Sequence, residues 1–470
     1  MESTRKTILK NSVLFSMAPF LPKIINVFLL PIMTAYLTDV DFGISGTISA
    51  YSSAISAFAA LGLTVVLQNS FFKTPLEYKH IWRQIYGFLK IWMIVFACFQ
   101  ALLLYFCIPE EAASNRWWII ILTNFSTVFF GPTGTIGSSY YIYTKQSVPV
   151  VWRSVMASVI TVLVDFVLIV YLRWGYMGWY VGTFAGTFFS NASYWYVVNK
   201  KLDLKPDYHF EWKTIKNALK VGIPTIPHYY TSYLLEGSGR MVLDQYNVPQ
   251  GEIGRVSISQ QIGDMFQQGM TGLNNAVSPF FMQGIKDNDN KKIKTIAYLF
   301  VSFIFALAFF LALWSKEIFW ILLKNEALRS AYPYFIAYIM ALCYRPMYLV
   351  VSNYYFYYER TPQLLLITFV SGCIAIVFYI AFTPLMGAWA FLTGHYLSCL
   401  YYGYAGYLFS GFRKNTAFRM PCIIILIIQI VLTAAAFLLV DMLWVKIALT
   451  AIAAIVAVWA FFKYRYVFIK

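Results

Sequence analysis

Charge is scarce in this chain: of 470 residues only 12% are Asp, Glu, Lys or Arg, and 20 carboxylates stand against 36 Lys and Arg. Histidine and cysteine are scarcer still, at four and six. Cys98, Cys107, Cys343, Cys373, Cys399 and Cys422 all fall in or beside apolar runs. They form no CxxC pair and no His/Cys cluster at metal-ligand spacing. They are expected as reduced packing residues, with no metal and no other cofactor. A Walker A loop, an HExxH helix and a GxSxG elbow are all missing. That removes the sequence basis for an ATPase, a zinc protease or a serine hydrolase. Long polar loops are missing too, the 200–216 segment being the largest.

What fills the chain instead is hydrocarbon. It is 60% hydrophobic, with a mean hydropathy of +0.63. That composition belongs to a polytopic α-helical membrane protein. A β-barrel is excluded because the apolar runs are continuous rather than alternating. The formal charge of +16 would suggest nucleic acid in a soluble protein. Here the basic residues sit in short loops between apolar spans, so no nucleic-acid partner is expected.

The stretch Asn11–Leu37 sets the pattern. It is long enough to cross a hydrocarbon core of roughly 30 Å with some tilt. No signal-peptide cleavage site follows it, so it is expected to stay in the membrane as a signal anchor. It holds one charge, Lys23, and three prolines, Pro19, Pro22 and Pro31. Lipid penalises a central charge by about 3 kcal/mol or more, so Lys23 faces either a carboxylate partner or a water-filled cavity. Pro19 and Pro22 should bend the helix one turn below it.

Fourteen spans are predicted: 11–37, 42–68, 84–108, 117–143, 148–172, 176–199, 217–243, 252–283, 292–314, 331–357, 362–382, 386–410, 420–440 and 444–464. The segment 314–330 is too charged and short to cross and reads as an interfacial helix and loop. Lys and Arg crowd into the loops on one side, among them Lys73, Lys79, Arg83 and the run Lys200–Lys220. The positive-inside rule puts that side, and both termini, in the cytoplasm.

The chain also repeats at an offset of about 210 residues. APFLP (18–22) answers to GIPTIP (222–227), YLTDVDFG (36–43) to YNVPQGEIG (246–254), and LTVVLQNSFF (63–72) to LNNAVSPFF (273–281). YYIYTK (140–145) answers to YYFYYE (354–359), and GYMGW (175–179) to PLMGAW (384–389). Predicted helices 1–6 (residues 1–199) and 7–12 (217–410) then form two lobes, joined by a cytoplasmic linker at 200–216. Helices 13–14 (411–470) are an appendage outside the repeat. Two copies of like orientation put a central site between lobes that can rock.

Helix 252–283 carries the densest polar signal. Ser257, Gln260, Gln261, Asp264, Gln267, Gln268, Thr271, Asn274, Asn275 and Ser278 recur every three to four residues. Such a stripe must meet a wet cavity or another helix, because lipid leaves amides unpaired. Helix 42–68 has a milder version in Ser45, Ser49, Ser52, Ser53, Ser56 and Gln68, which suits close packing as well as cavity lining. Glu236 and Arg240, four apart with the acid first, read as an ion pair within one helix. Arg240 keeps donors to spare for a phosphate. Arg345, before Pro346 and near mid-depth, is a cavity cation. Asp165 and His395 are either packing groups or carriers of a coupling proton. Tyr229, Tyr230 and Tyr233 could stack on sugar rings.

LKNS…APFLPK…LLPIMTAYLTDVDFG (9–43), with two sixfold repeats and two trailing helices, resembles the bacterial polysaccharide repeat-unit flippases (O-antigen and capsule, Wzx-type) of the MOP superfamily. That superfamily also holds the MATE exporters. The resemblance implies an all-α, V-shaped pair of bundles in the bacterial inner membrane. It would move undecaprenyl-diphosphate-linked oligosaccharide from the cytoplasmic to the periplasmic leaflet by alternating access, without enzymatic chemistry. It further implies a monomer, working beside a polysaccharide polymerase. Lys23, Arg240, Arg255 and Arg345 are the candidates for the diphosphate. Ser52, Gln68, Gln260, Gln261, Asp264 and Gln268 suit sugar hydroxyls. Asp165, Glu236 and His395 are the candidates for coupling to H+ or Na+. A MATE-like exporter of organic cations is the alternative, although it would want carboxylates in the amino-terminal lobe. A membrane glycosyltransferase or ligase would want acidic residues in a large extramembrane loop, and there is none.

Overall fold

The computed structural model describes residues 29–409, 412 and 420–464. Lys23, Pro19 and Pro22 lie outside the described residues. Every regular element among the described residues is helical. The chain divides into two units, Met1–Tyr233 and Leu234–Lys470.

In chain order the helices of the first unit are α1 (Asp39–Ser56), α2 (Leu63–Lys73), α3 (Tyr78–Cys107), α4 (Arg116–Tyr143), α5 (Val148–Asp165), α6 (Tyr176–Ala192) and α7 (Trp212–Gly222). After α8 (Ile226–Glu236), the second unit has α9 (Ser238–Gln245), α10 (Gln250–Lys286), α11 (Asn290–Leu313), α12 (Ser315–Leu322) and α13 (Glu326–Arg329). It continues with α14 (Tyr332–Leu342), α15 (Arg345–Tyr357), α16 (Thr361–Met386), α17 (Ala388–Leu408), α18 (Cys422–Leu439) and α19 (Leu443–Tyr464).

Among the described residues, seven helices are long and apolar enough to cross a membrane. The other expected spans take different forms, for local reasons. Span 42–68 is two helices, turned between them at Leu61 (φ +48°) and Gly62 (φ +66°). Span 217–243 is interrupted by the 3-10 turn Ile223–Thr225, where Pro224 removes a donor, and again at Gly237. Span 252–283 is the continuous helix α10, whose amides keep its hydropathy low. Segment 314–330 holds only the short helices α12 and α13.

Motif residues hold helix starts together. Thr38 and Asp41 form a capping box at α1, with Asp41 accepting from the Thr38 N–H at 2.8 Å. The other Asp41 oxygen accepts from the Tyr176 N–H at 2.9 Å, so one carboxylate ties α1 to α6. Gly175, which precedes α6, has φ +55° and ψ −137°. A Cβ there would stand 2.8 Å from Asp41 Oδ1. In the second unit Gly387, which precedes α17, has φ +54° and ψ −132°. A Cβ on it would stand 3.7 Å from Glu252 Oε2. Only glycine adopts such a backbone without strain.

The core of the first unit is built on Leu63, Leu67, Trp82, Ile85, Leu89 and Val198. The 200–211 chain is pinned to α3. Asp207 donates its N–H to the Arg83 carbonyl at 3.0 Å, and Arg83 Nε donates back to the Lys205 carbonyl at 3.3 Å. A Cβ at Gly87 would fall 1.8 Å from the Asp207 carbonyl oxygen. Helix α7 then buries Ile215 and Ala218 and exposes Lys213, Lys216 and Lys220. In the second unit the core runs through Leu235, Leu243, Val256, Tyr338, Leu342 and Phe391.

Gly87→Ala should therefore lower the melting temperature by several degrees, the equivalent of about 1–3 kcal/mol of overpacking. It should also speed tryptic cleavage after Lys201 and Lys205. Gly131→Ala, whose Cβ would meet Thr127 at an ordinary 3.6 Å, is the control and should melt like the parent. Equal melting of all three proteins would refute the docking.

Candidate functional site

Polar side chains that a single helix could not satisfy converge inside the second unit. The starting point is a break. Tyr332–Leu342 and Arg345–Tyr357 would be one long helix but for Pro346, which has no N–H to donate. Met347 donates to the Tyr344 carbonyl at 3.2 Å, one residue tighter than the α pattern. Arg345 thus opens α15 at the break, and its guanidinium reaches Glu236, the last residue of α8. The two side chains retain 11% and 27% exposure, so the pair is enclosed without being sealed. Arg345 also lies 5.7 Å from the centre of the Tyr402 ring.

The polar stripe of α10 supplies the rest. Gln267 Nε2 donates to Glu236 Oε1 at 3.0 Å, and Gln260 Nε2 donates to the Glu236 carbonyl at 2.9 Å. Asp264 accepts from the Tyr338 hydroxyl at 2.7 Å, and Arg240 and Arg345 both stand within electrostatic reach of its carboxylate. Tyr338 stacks on His395 at 4.8 Å and 14°. His395 Nδ1 lies 3.2 Å from the Leu235 carbonyl oxygen and its Nε2 lies 3.5 Å from Cys399 Sγ. The Nδ1–H tautomer satisfies both contacts. Ser257 Oγ, Gln260 Oε1, Gln267 Oε1 and Arg345 Nε are buried with no hydrogen-bond partner among the described residues. Unused capacity at that density suits water or a hydroxylated ligand.

The stripe divides along its length and around its face. Ser257, Gln260, Asp264 and Gln267 belong to the interhelical seam, as does Ser278, which donates to Asn353 Oδ1 at 2.6 Å. Gln261, Thr271 and Asn275 are exposed and Gln268 is half-buried. Gly269, beside them, has open space where a Cβ would go. One part of the stripe is therefore a seam between helices, and the other is exposed.

Residues 8–285 match the family described as polysaccharide biosynthesis protein. The chain belongs to that family. No curated protein matches it. Among solved structures it is similar to the lipid II flippase MurJ in an inward closed conformation, with a TM-score of 0.67 and 16% identity. That alignment covers 93% of this chain and 100% of the other. It is also similar to a multidrug resistance MATE family transporter of the MOP superfamily. The inward-facing form gives a TM-score of 0.63 at 13% identity over 85% and 94% of the two chains, and the outward-facing form gives 0.58 at 14% over 87% and 95%. This member of the polysaccharide biosynthesis family is a multi-pass membrane protein with the fold of those transporters.

Several of the expected partners change. Glu236 pairs with Arg345 rather than forming the i, i+4 pair with Arg240, so the Arg345 charge is already neutralised within the unit. Arg255 stands apart at the start of α10, 3.8 Å from Glu252. Ser52 is half-buried and Gln68 exposed, on α1 and α2 of the first unit. Tyr230 does not present a free ring: it lies 5.7 Å from Phe58, and its hydroxyl donates to the Ala54 carbonyl. The side chain of Tyr229 lies outside the described residues.

Asp165 is 7% exposed, where the α5 helix passes into the π-helical turn Phe166–Tyr171. Its burial follows from a glycine ladder that the hydropathy pattern hides. Gly182 and Gly186 of α6 face α5 and Gly178 faces Ile169 of that turn, and a Cβ on Gly182 would fall 1.8 Å from Asp165 Oδ1. That oxygen has no hydrogen-bond partner among the described residues. Lys90 is a cation that the sequence pattern does not single out. It donates to the Phe129 carbonyl in the turn before Pro132 and lies 5.7 Å from the Tyr86 ring, with no carboxylate partner among the described residues. A lone Lys inside span 84–108 is the signal that could have found it.

Removing one member of the enclosed pair leaves the other unpaired, so Glu236→Gln and Arg345→Met should each cost about 3 kcal/mol. The double variant should cost less than the sum of the two, read as melting temperatures in detergent. Strict additivity would mean that the two groups do not interact.

Proposed function

We propose that the protein is a flippase for undecaprenyl-diphosphate-linked oligosaccharide, carrying it from the cytoplasmic to the periplasmic leaflet of the bacterial inner membrane for surface polysaccharide assembly. The observation that carries the reading is membership of the polysaccharide biosynthesis family joined to a transporter fold that spans the whole of a lipid II flippase. The 14-span topology, with both termini cytoplasmic and two six-helix copies, belongs to the same proposal. The matched geometry before α6 and α17 supports the duplication: each of those helices starts at a positive-φ glycine beside an acid, Asp41 in one unit and Glu252 in the other.

In this reading the cations are assigned to the diphosphate: Lys23, Arg240, Arg255 and Arg345. Gln260, Gln261, Asp264 and Gln268, with Ser52 and Gln68, are assigned to sugar hydroxyls. The exposed amides on α10 support the second assignment, since within a span they must meet water rather than lipid. Arg345 enters the site already paired, so a phosphate must compete with Glu236 for it. Asp165 and Glu236 are the coupling candidates. His395, stacked and held at both nitrogens, suits a structural part better. A buried carboxyl in the first unit is also what a cation exporter would use, so Asp165 favours that as the second reading.

Proteoliposomes test the choice. With a fluorescent undecaprenyl-diphosphate-linked oligosaccharide, the parent protein should translocate at least ten times faster than protein-free vesicles and should leave ethidium untouched. Lys23→Ala and Arg345→Ala should each reduce that rate about tenfold while inserting at parental levels. Ethidium transport without lipid transport would overturn the flippase in favour of the exporter.

A further inference from the structure

Helix α18 is almost wholly apolar. Ile423, Ile424, Ile427, Ile430 and Val431 are all exposed along it. Within it, Gln429 and Thr433 are its amide and its hydroxyl, one turn apart, and Gln429 is fully buried. An amide in lipid costs a few kcal/mol unless it finds a partner, so where it points is informative. It points at the break below Arg345. Gln429 Nε2 donates to the Cys343 carbonyl at 3.1 Å. In an unbroken helix that carbonyl would accept from Met347, whose N–H goes to Tyr344 instead. The side chain of α18 therefore replaces the backbone donor that the break removes.

The amide is itself fixed. Its Oε1 accepts from the Tyr404 hydroxyl of α17 at 2.6 Å. Thr433 accepts from the Tyr396 hydroxyl at 3.1 Å, and Tyr396 meets the Tyr344 hydroxyl at 2.5 Å. Both residues bordering the break are thus held from α18, one through its carbonyl and one through its side chain. Gly403 completes the seat: a Cβ there would fall 2.5 Å from the Tyr344 carbonyl oxygen.

We infer that Gln429 is a positioning residue for the Glu236–Arg345 pair, and that the first of the two trailing helices, α18, expected as part of an appendage, holds the break from which Arg345 reaches Glu236. Gln429 touches neither charged side chain and acts through the Cys343 carbonyl and the turn that follows it. The functional weight of this rests on the flippase reading, but the geometry does not.

A double-mutant cycle in detergent tests it by melting temperature. Glu236→Gln should lower the melting temperature of the parent, and its effect should shrink to less than half in a Gln429→Met background, where the break is no longer capped. Tyr404→Phe, which only frees the amide, should give the same coupling at smaller size and decides the matter if Gln429→Met does not fold. Thr450→Val removes a contact of the other trailing helix, the 3.0 Å bond from Trp314 Nε1. It should leave the Glu236→Gln shift unchanged. Equal Glu236→Gln shifts in all backgrounds would overturn the inference. Melting does not depend on what is transported, so that failure would leave the flippase reading standing. Loss of flipping in proteoliposomes is the separate test of that reading.

Discussion

Every polar group in a membrane span must find a partner inside the protein or meet water, and the carboxy-terminal unit is organised around that constraint. Glu236 and Arg345 meet where a proline has already broken the backbone ladder, at Pro346, so that a freed carbonyl and charged side chains share one neighbourhood. Glu236 takes its partners from two helices, Arg345 of α15 and Gln267 of α10. Asp264, Tyr338 and His395 extend the network outward. A network of this kind is costly when half satisfied, because low dielectric strengthens made bonds and unmade ones alike.

Hydropathy makes the apolar helices legible, since continuous runs admit no other structure in lipid. Breaks are legible where Pro or Gly marks them, as at Pro224 and Pro346. What periodicity cannot supply is the partner across the fold. Four-residue spacing suggests Arg240 for Glu236, yet the carboxylate pairs with a residue 109 positions away. The glycine ladder of α6 is equally hidden, because glycine lowers hydropathy without looking polar. It is this ladder that buries Asp165. Gln429 is conspicuous as an amide in a run of isoleucines, and only the location of the uncapped Cys343 carbonyl gives it meaning.

The motif YLTDVDFG has a structural use that its spelling alone does not reveal. Asp41 caps its own helix and bonds the first residue of α6, next to a glycine that tolerates φ +55°. In the second unit Glu252 stands near Gly387, which has nearly the same backbone angles as Gly175. The two junctions are alike in backbone and in the sign of the nearby charge. Their side-chain contacts differ: Glu252 stands 3.8 Å from Arg255 rather than capping a helix.

The neutralised state of Arg345 changes what a site for an anionic headgroup has to do. A free cation would bind a diphosphate in any conformation, which gives affinity without motion. A cation held by Glu236 binds phosphate in competition with that carboxylate, and a carboxylate displaced in this way takes a proton, a cation or another arginine. Arg240 lies in the same neighbourhood, within reach of Asp264. Phosphate binding at Arg345, on the proposed reading, loosens its pair with Glu236 beside the turn that Gln429 caps. On the proposed reading, that coupling supplies the differential interaction between two states that a transport cycle requires. A cavity that was merely positive would not supply it.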